Sequence, residues 1–599
     1  MPYAKIVFGL PLEGPFDYLI PGNCKTGLKP GMRVSVEFGF KKMVGYVTGV
    51  SATTKIKKVK PLLEVIDQEP VISRNLLLLA RNISDYYCCS LGEAIESILP
   101  QALRKGRKTP VFRDSIEEKK QVSEKPVYIQ AARDRRYEKY LVEINKELAA
   151  GRCVAVVLPD AGAVTEFKSL AALRLKYPLS ILQRNEPGEF AEWSKLRSGD
   201  VKLSIGTRAS VFTPFLKAGL IILDEEDNPG YKQEQSPHYH AREVALMRSR
   251  IDGSLLILGG EAPSLECRAL IDKEELSFLD PGQGMPVPEV KAIDMKFERS
   301  KGNKGLIFSK YLVDCVNAAL AQGQKTLLFL NRRGFATYAF CHNCQEPLVC
   351  PRCNLSLTYY FEANILSCNH CNFRMELPKI CPKCNAGYIK FRGAGTEKAE
   401  SEIARIFPQA KIGKDIVTAT SAVFKQSEAV FALICVLNID NALSMPDFRA
   451  CEKAYTLLLK LKSRAEKKLI IQTVTPAHPV FKALENNDSE IFYSAELKQR
   501  KSLKLPPYKH LALVRLRSKK EALAKGSAEL LFEKLRTAAK KQVEALSVNQ
   551  GLPAKLRGNF YYQVLLRSPD PVKLSAFIKN KLKDFRHSGI IVSVDIDPL

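Results

Sequence analysis

Short apolar runs, each closed by a turn or by charged residues, punctuate the middle of the chain. "CVAVVLPDAG" (Cys153–Gly162), "VKLSIGTRASVF" (Val201–Phe212), "LIILDEED" (Leu220–Asp227) and "SLLILGGEAPSLE" (Ser254–Glu266) read as buried strands, with helical stretches between them. Strand alternating with helix predicts a parallel α/β sheet. "KTLLFLNRRGFA" (Lys325–Ala336) opens a second unit of the same kind. From about Leu505 the pattern changes. "HLALVRLRS", "FYYQVLLRS" and "GIIVSVDI" read as strands and "KEALAKGSAELLFEKLRTAAKKQVEAL" as helix, which predicts a small C-terminal α/β domain. No run approaches the ~18 apolar residues of a membrane span. The N-terminal "MPYAKIVFGLPLEGPFDYLIP" lacks a basic segment followed by a continuous apolar one, so no signal peptide is expected and a cytoplasmic location is.

At 599 residues the chain is too long for one domain, and its 46% hydrophobic content is ordinary for globular domains. The net charge of +27 changes the picture more. Neutralising phosphates releases counterions, so an excess this large points to a nucleic-acid partner. The plainer alternative is a solvated, lysine-rich surface. No single basic tail accounts for the excess.

Half of the 16 cysteines fall between Cys341 and Cys384, in four C-x-x-C pairs. Each such turn points two thiolates at one tetrahedral metal, so four pairs suit two zinc ions. A disulfide framework does not fit a reducing compartment, and iron–sulfur ligation fits regular knuckles less well. The favoured pairing is nested: Cys341, Cys344, Cys381 and Cys384 on one zinc, Cys350, Cys353, Cys368 and Cys371 on the other. Sequential pairing is the alternative. Ligand sets made wholly of protein are structural, not catalytic. His342 and His370, inside the turns, read as outer-shell or exposed.

Taken together, "NRRGFATYAFCHNC…CPRC…CNHC…CPKC…GAGTEKAE", "IGTRASVFTPF" and "LDEEDNPGYKQEQSPHYHARE" resemble the PriA family of bacterial replication-restart helicases (primosomal protein N′). "GPFDYLIP", "GMRVSVEFG" and "LARNISDYYCCSLGEAIESILPQALRKGR" at one end, and "LPPYKHLALVRLRS" and "VDIDPL" at the other, carry the resemblance across nearly the whole chain. It implies a multidomain α/β protein. A mostly-β 3′-end DNA-binding domain (1–105) would be followed by a linker (106–124) and a RecA-like helicase lobe (125–288). A second lobe (289–337 and 391–484) would carry a double zinc-ribbon insertion (338–390), and a C-terminal DNA-binding domain would cover 485–599. The family binds branched DNA and the leading-strand 3′ end, unwinds with ATP, and recruits primosome proteins, among them single-strand-binding protein and the loader of the replicative helicase. Its winged helix needs roughly 60 residues, and the 106–124 stretch is too short to hold one.

The resemblance also exposes a loss. The family's G-x-x-x-x-G-K-[ST] phosphate loop aligns with Gln130–Tyr137, "QAARDRRY", which has no glycine to curl the backbone around phosphates. Asp224 and Glu225, the metal-holding and water-activating positions, persist, while the histidine after them is Asp227. "GSATP" becomes "GGEAP" (Gly259–Pro263), the "GTQM…KG" motif has no counterpart, and the arginine-finger motif aligns with "KSRAEK" (Lys462–Lys467), keeping Arg464 but placing Lys467 at the second arginine. Phosphoryl transfer rests on positioning and electrostatics, so ATP and magnesium are not expected as cofactors, and Asp224 and Glu225 are expected to be remnants. Asp134, Arg135 and Arg136 receive no role, and His240 reads as packed.

The family's 3′-end pocket corresponds to Phe16, Asp17, Tyr18, Gly39 and Lys60. Lys555, Arg557 and Arg567 in "PAKLRGNFYYQVLLR" mix bases with aromatics and are candidate DNA contacts. The expected function is a fork-binding loading platform without a motor. A working ATP-dependent 3′–5′ helicase and a zinc-ribbon RNA-binding protein are the alternatives.

Overall fold

The structure, a computed structural model, describes residues 2–22, 27–112, 125–280, 287–300, 307–330, 338–344, 346–351, 357–360, 364–367, 373–385, 388–392, 402–420, 429–437, 439–443, 447–539, 542–585 and 587–598. Its strands form five sheets. The N-terminal sheet is antiparallel, in the order Phe16–Leu19, Tyr3–Val7, Lys41–Ser51, Arg33–Phe38, Glu64–Val65. Arg33, fully buried, ties this sheet to the short helix Gln101–Arg104: it forks onto Asp67 (Nε–Oδ2 2.9 Å, Nη2–Oδ1 2.5 Å) and donates to the Leu103 carbonyl (2.6 Å).

The first lobe holds seven parallel strands in the order Ser277–Leu279, Val127–Gln130, Leu255–Gly260, Leu220–Asp224, Val154–Val157, Leu203–Gly206, Leu179–Leu182. Leu220–Asp224 sits mid-sheet and is buried throughout, which explains its continuous apolar run. The second lobe has five parallel strands: Glu289–Asp294, Ala465–Thr473, Phe431–Leu437, Thr326–Leu330, Ile416–Ala419. Helix Ser489–Leu503 packs into this lobe through Phe492, Tyr493 and Leu497. The cysteine-rich insertion is a five-stranded antiparallel sheet.

The C-terminal sheet runs Glu544–Leu556, Asn559–Ser568, His510–Ser518, Ile591–Ile596, all antiparallel, with helices Glu521–Ala538 and Pro571–Leu582. Here one expectation fails. The helical pattern read through Leu546 stops at Ala538, and Glu544 already pairs with Arg567. Cross-strand pairing overrides the local propensity of "VEAL".

One apolar core joins three units. It includes Leu79 and Ile83 of helix Arg74–Tyr87, Val244 of helix Ala241–Asp252 and Ile578 of helix Pro571–Leu582. Polar ties reinforce it, from Asn75 to Asp252 (2.8 Å) and from Lys579 to Ser84 (3.1 Å). The expected linker is partly packed too: Phe112 is buried edge-on against Trp193, with centroids 5.9 Å apart. Its remainder, 113–124, lies outside the described residues.

Candidate functional site

The acids of "LIILDEED" lie at the carboxyl end of the Leu220–Asp224 strand, where an α/β sheet places ligands. The neighbouring sequence determines what they meet. Strand Val127–Gln130 passes into helix Arg133–Ala149 across only Ala131 and Ala132. Without glycine the chain makes no wide loop, and the positions Gln130–Tyr137 that align with the family's phosphate loop are a strand end, a short connection and a first helical turn. That turn carries Arg133 and Arg136, and the next brings Tyr140 to the same face.

Arg136 is 1% exposed and Asp224 0%. The guanidinium forks onto the carboxylate, Nε to Oδ1 at 2.7 Å and Nη2 to Oδ2 at 3.3 Å. Tyr140 donates its hydroxyl to the same Oδ1 at 2.9 Å. Arg136 also donates to the Ala131 carbonyl, which closes the short connection. Arg133 holds Glu225 Oε1 at 2.6 Å, and Lys460, from helix Ala450–Lys462 of the second lobe, holds Oε2 at 2.6 Å. Burial by itself would raise the Glu225 pKa, but Lys460 and Arg133 together hold it well below the usual carboxylate range. At Asp227 burial wins, opposed by Lys460 and reinforced by Glu226 and Glu225, and the pKa is pushed up to about 7. Glu226 accepts from Arg242 (2.8 Å) and from the Ser264 backbone N–H (2.7 Å). His240 is buried, and its Nδ1 caps helix Ala241–Asp252 by accepting from the Arg242 N–H at 3.3 Å.

Magnesium would need the carboxylate that Arg136 already neutralises. These residues therefore do not fit a magnesium–nucleotide group. A cleft of about 640 Å³ persists between the lobes, lined by Gln130, Ala132, Arg135, Glu261, Ser463 and Lys467 among others, but its lining includes neither Asp224 nor Glu225. The "GGEAP" segment fits the same reading. A Cβ on Gly259 would lie 1.8 Å from the Tyr140 hydroxyl, and one on Gly260 2.5 Å from that of Tyr128. At Gly260, where the motif has serine, the Tyr128 hydroxyl lies in the place of the side chain.

Sequence reasoning missed Arg133, Arg136 and Lys460. A signal was present: Arg133, Arg136 and Tyr140 recur at i, i+3 and i+7 on the face that also buries Tyr137 and Ile144. Polar groups on an apolar face call for buried partners.

In the cysteine insertion the outer pairs converge. Cys341 and Cys384 Sγ are 3.6 Å apart, Cys344 and Cys381 3.8 Å, and all four lie within 4.8 Å of one another. A zinc–sulfur tetrahedron with bonds of about 2.3 Å has edges of about 3.8 Å, so the set fits zinc. Backbone N–H groups of Asn343 and Lys383 donate to Cys341 and Cys381 Sγ at 3.3 and 3.4 Å. The four thiols that the nested reading assigns to one zinc thus lie together. Of the inner set, Cys350 is buried, whereas Cys353, Cys368 and Cys371, like His370, lie outside the described residues. His342 is exposed and stacks on Tyr388, with centroids 4.7 Å apart.

The N-terminal candidates cluster at one end of the antiparallel sheet. Asp17 sits opposite Lys5 in register, bonds to it at 2.6 Å and accepts from Thr54. Burial raises its pKa, but the bonds from Lys5 and Thr54 outweigh that and hold the group ionised. Phe16 packs against Phe8 and Phe38, with centroids at 5.8 and 5.2 Å. Lys60 reaches the Gly39 carbonyl at 2.9 Å and Glu37 at 2.7 Å, so Gly39 and Lys60 do meet. Tyr18 departs from expectation. Its ring is 5% exposed and its hydroxyl donates to the Glu37 carbonyl at 3.0 Å, so the ring belongs to the domain core and is not open to a base. Period-two alternation is the cause: Asp17 must face away from Phe16 and Tyr18.

At the C-terminus Arg557 is exposed at a hairpin tip, and Lys555 lies over the Phe560 ring at 4.7 Å. Arg567 is a further correction. It is tied to Glu544 (2.5 Å) and the Leu503 carbonyl (3.0 Å), which makes it an internal tether between the sheet and the preceding helix.

Comparison with known proteins bears on these sites. Residues 5–100 match the model of the PriA 3′ DNA-binding domain, 350–375 that of the PriA DNA helicase Cys-rich region, and 501–599 that of the primosomal protein N C-terminal domain. The replication restart protein PriA of Treponema pallidum is 26% identical over 100% of this chain and 99% of its own length. The Bacillus subtilis protein of that name is 31% identical over 77% of this chain and 62% of its own, and that of Synechocystis sp. 30% over 77% and 61%. The chain belongs to the PriA family. Against the last two relatives it spans less than two thirds of their length. PriA membership and the paired parallel sheets make it a helicase-family protein. The described residues include no helix long and apolar enough to cross a membrane.

Proposed function

We propose that this chain is a replication-restart protein that binds branched DNA and the 3′ end of a leading strand, and acts as a loading platform for primosome assembly without a motor of its own. In this reading it works in the cytoplasm on the bacterial nucleoid. Its partners are primosome proteins, single-strand-binding protein and the loader of the replicative helicase, and it carries two zinc ions. The observation that carries the motorless part is the Arg136–Asp224 fork: an internal cation occupies the carboxylate that would hold magnesium. The 3′-end part is supported by Gly39 and Lys60 meeting at one turn and by Asp17 held ionised nearby, in a domain that matches the family's 3′ DNA-binding model.

The deciding experiment measures two quantities on one purified sample: affinity for a fork with a free or phosphate-blocked 3′ end, and steady-state ATP hydrolysis with that fork. Tighter binding to the free end with no DNA-stimulated hydrolysis is expected. DNA-stimulated turnover that disappears in Asp224→Asn would instead establish a working helicase.

A further inference from the structure

Strands Arg33–Phe38 and Lys41–Ser51 are joined by a two-residue turn, Gly39-Phe40, with Phe38 paired to Lys41. Gly39 has φ +61°, the left-handed conformation that a short hairpin turn requires at its first central position. This leaves Phe40 at the apex, 103% exposed. A single exposed apolar residue is commonplace, but three features set this one apart. The turn is braced, because Lys60 bonds both the Gly39 carbonyl (2.9 Å) and Glu37 (2.7 Å). Its root is the wall of the end-binding constellation: Phe38 lies 5.2 Å from Phe16, and the Glu37 carbonyl accepts from Tyr18. The flanking Lys41 and Lys42 are exposed, as are Lys55, Lys57 and Lys58 of the following segment.

A rigidly displayed aromatic ring amid lysines has the chemistry of a nucleobase platform: a face for stacking and cations for the flanking phosphates. Since Tyr18 is buried in the core and Phe16 is half-buried and edge-on against Phe38, the constellation otherwise offers no fully open ring. We propose that Phe40 is a stacking finger for an unpaired DNA base adjoining the 3′ end, with Lys41 and Lys42 on the neighbouring phosphates; this rests on the end-binding reading above.

The test uses the full chain and forks carrying 2-aminopurine next to the 3′-terminal nucleotide, at fixed salt. Wild type and Phe40→Trp should quench the probe. Phe40→Ala should abolish quenching and weaken binding roughly fivefold or more, with an unchanged thermal midpoint, since nothing leans on this side chain. Wild-type affinity and quenching in Phe40→Ala, in a protein whose binding still falls when the 3′ end is blocked, would overturn the finger alone. Indifference of the wild-type protein to the blocked end would instead sink the end-binding reading beneath it.

Discussion

Arg136 and Asp224 form a buried pair, and the physics of such pairs makes the site's history testable. Breaking one by removing a single partner leaves an uncompensated charge and costs on the order of 3–5 kcal/mol. Arg136→Ala should therefore lower the thermal midpoint markedly. Arg136→Lys should recover little of it, because lysine lacks the planar fork that meets both carboxylate oxygens. The double variant Arg136→Met/Asp224→Leu, which removes both charges at similar volume, should lie closer to wild type than Arg136→Ala. Differential scanning fluorimetry of the four proteins decides the matter. A residue kept for nucleotide chemistry would show little loss of stability on Arg136→Ala. The sequence made half of this pair legible: four acids after an apolar strand announce themselves, whereas an arginine seven residues beyond Ile129 announces a partner only once the helix that carries it is known to start at Arg133.

At the scale of elements, legibility follows periodicity. The buried parallel strands of both lobes stand out because nearly every residue is apolar, as in "LIILD" and "TLLFL". Strand Glu544–Leu556 does not, since it pairs through its backbone and carries a mixed sequence that continues a helical pattern. Tyr18 was legible as a strand residue but not as a core one, because alternation alone does not say which face is covered. The zinc ribbon is the clearest case of chemistry replacing packing. Among the described residues its buried apolar core is Ala339, Leu348, Cys350, Leu357, Tyr359 and Leu366, and four converging thiols offer the sheet a metal tie beside it. Cys381→Ser should therefore lower the zinc content measured by atomic emission and remove hydrogen-exchange protection from strands Tyr338–Cys341 and Ile389–Arg392. Fork-end affinity should survive, because among the described residues the partners of Asp17 are Lys5 and Thr54, both outside the ribbon. Loss of end binding together with the zinc would tie the ribbon to DNA contact instead.

In the whole molecule the acids at the end of the Leu220–Asp224 strand and their neighbours tie the two lobes together. Lys460 reaches across from the second lobe to Glu225; Arg449 reaches Glu266 (2.7 Å), Tyr493 the Pro263 carbonyl (2.7 Å), and Glu452 accepts from the Leu265 N–H (2.8 Å). Charged and polar side chains span the cleft, and the first lobe is further joined to both terminal domains through a shared core. Such a fastening should respond to acid in a defined direction. Burial opposes ionisation of Glu225, but Lys460 and Arg133 hold its folded pKa below the unfolded value, so its contribution is complete above the ordinary glutamate range, near pH 4.5, and is lost as the pH falls through the folded value. Asp227 has the opposite sign. With its folded pKa raised to about 7, its contribution is complete below the unfolded value and fades as the pH rises towards 7, so it tilts the profile in a window above the one that reports Glu225. Comparing wild type with Glu225→Gln tests the fastening. Near pH 5 the variant should melt lower by a margin equivalent to roughly 1.5–3 kcal/mol for hydrogen bonds to a charged group, narrowing towards pH 7 because Glu225 also helps to raise the Asp227 pKa. Below about pH 4.5 the two midpoints should converge. A margin that persists unchanged to pH 3.5 would mean that Glu225 stabilises through packing alone, and that the lobes are not held by its charge.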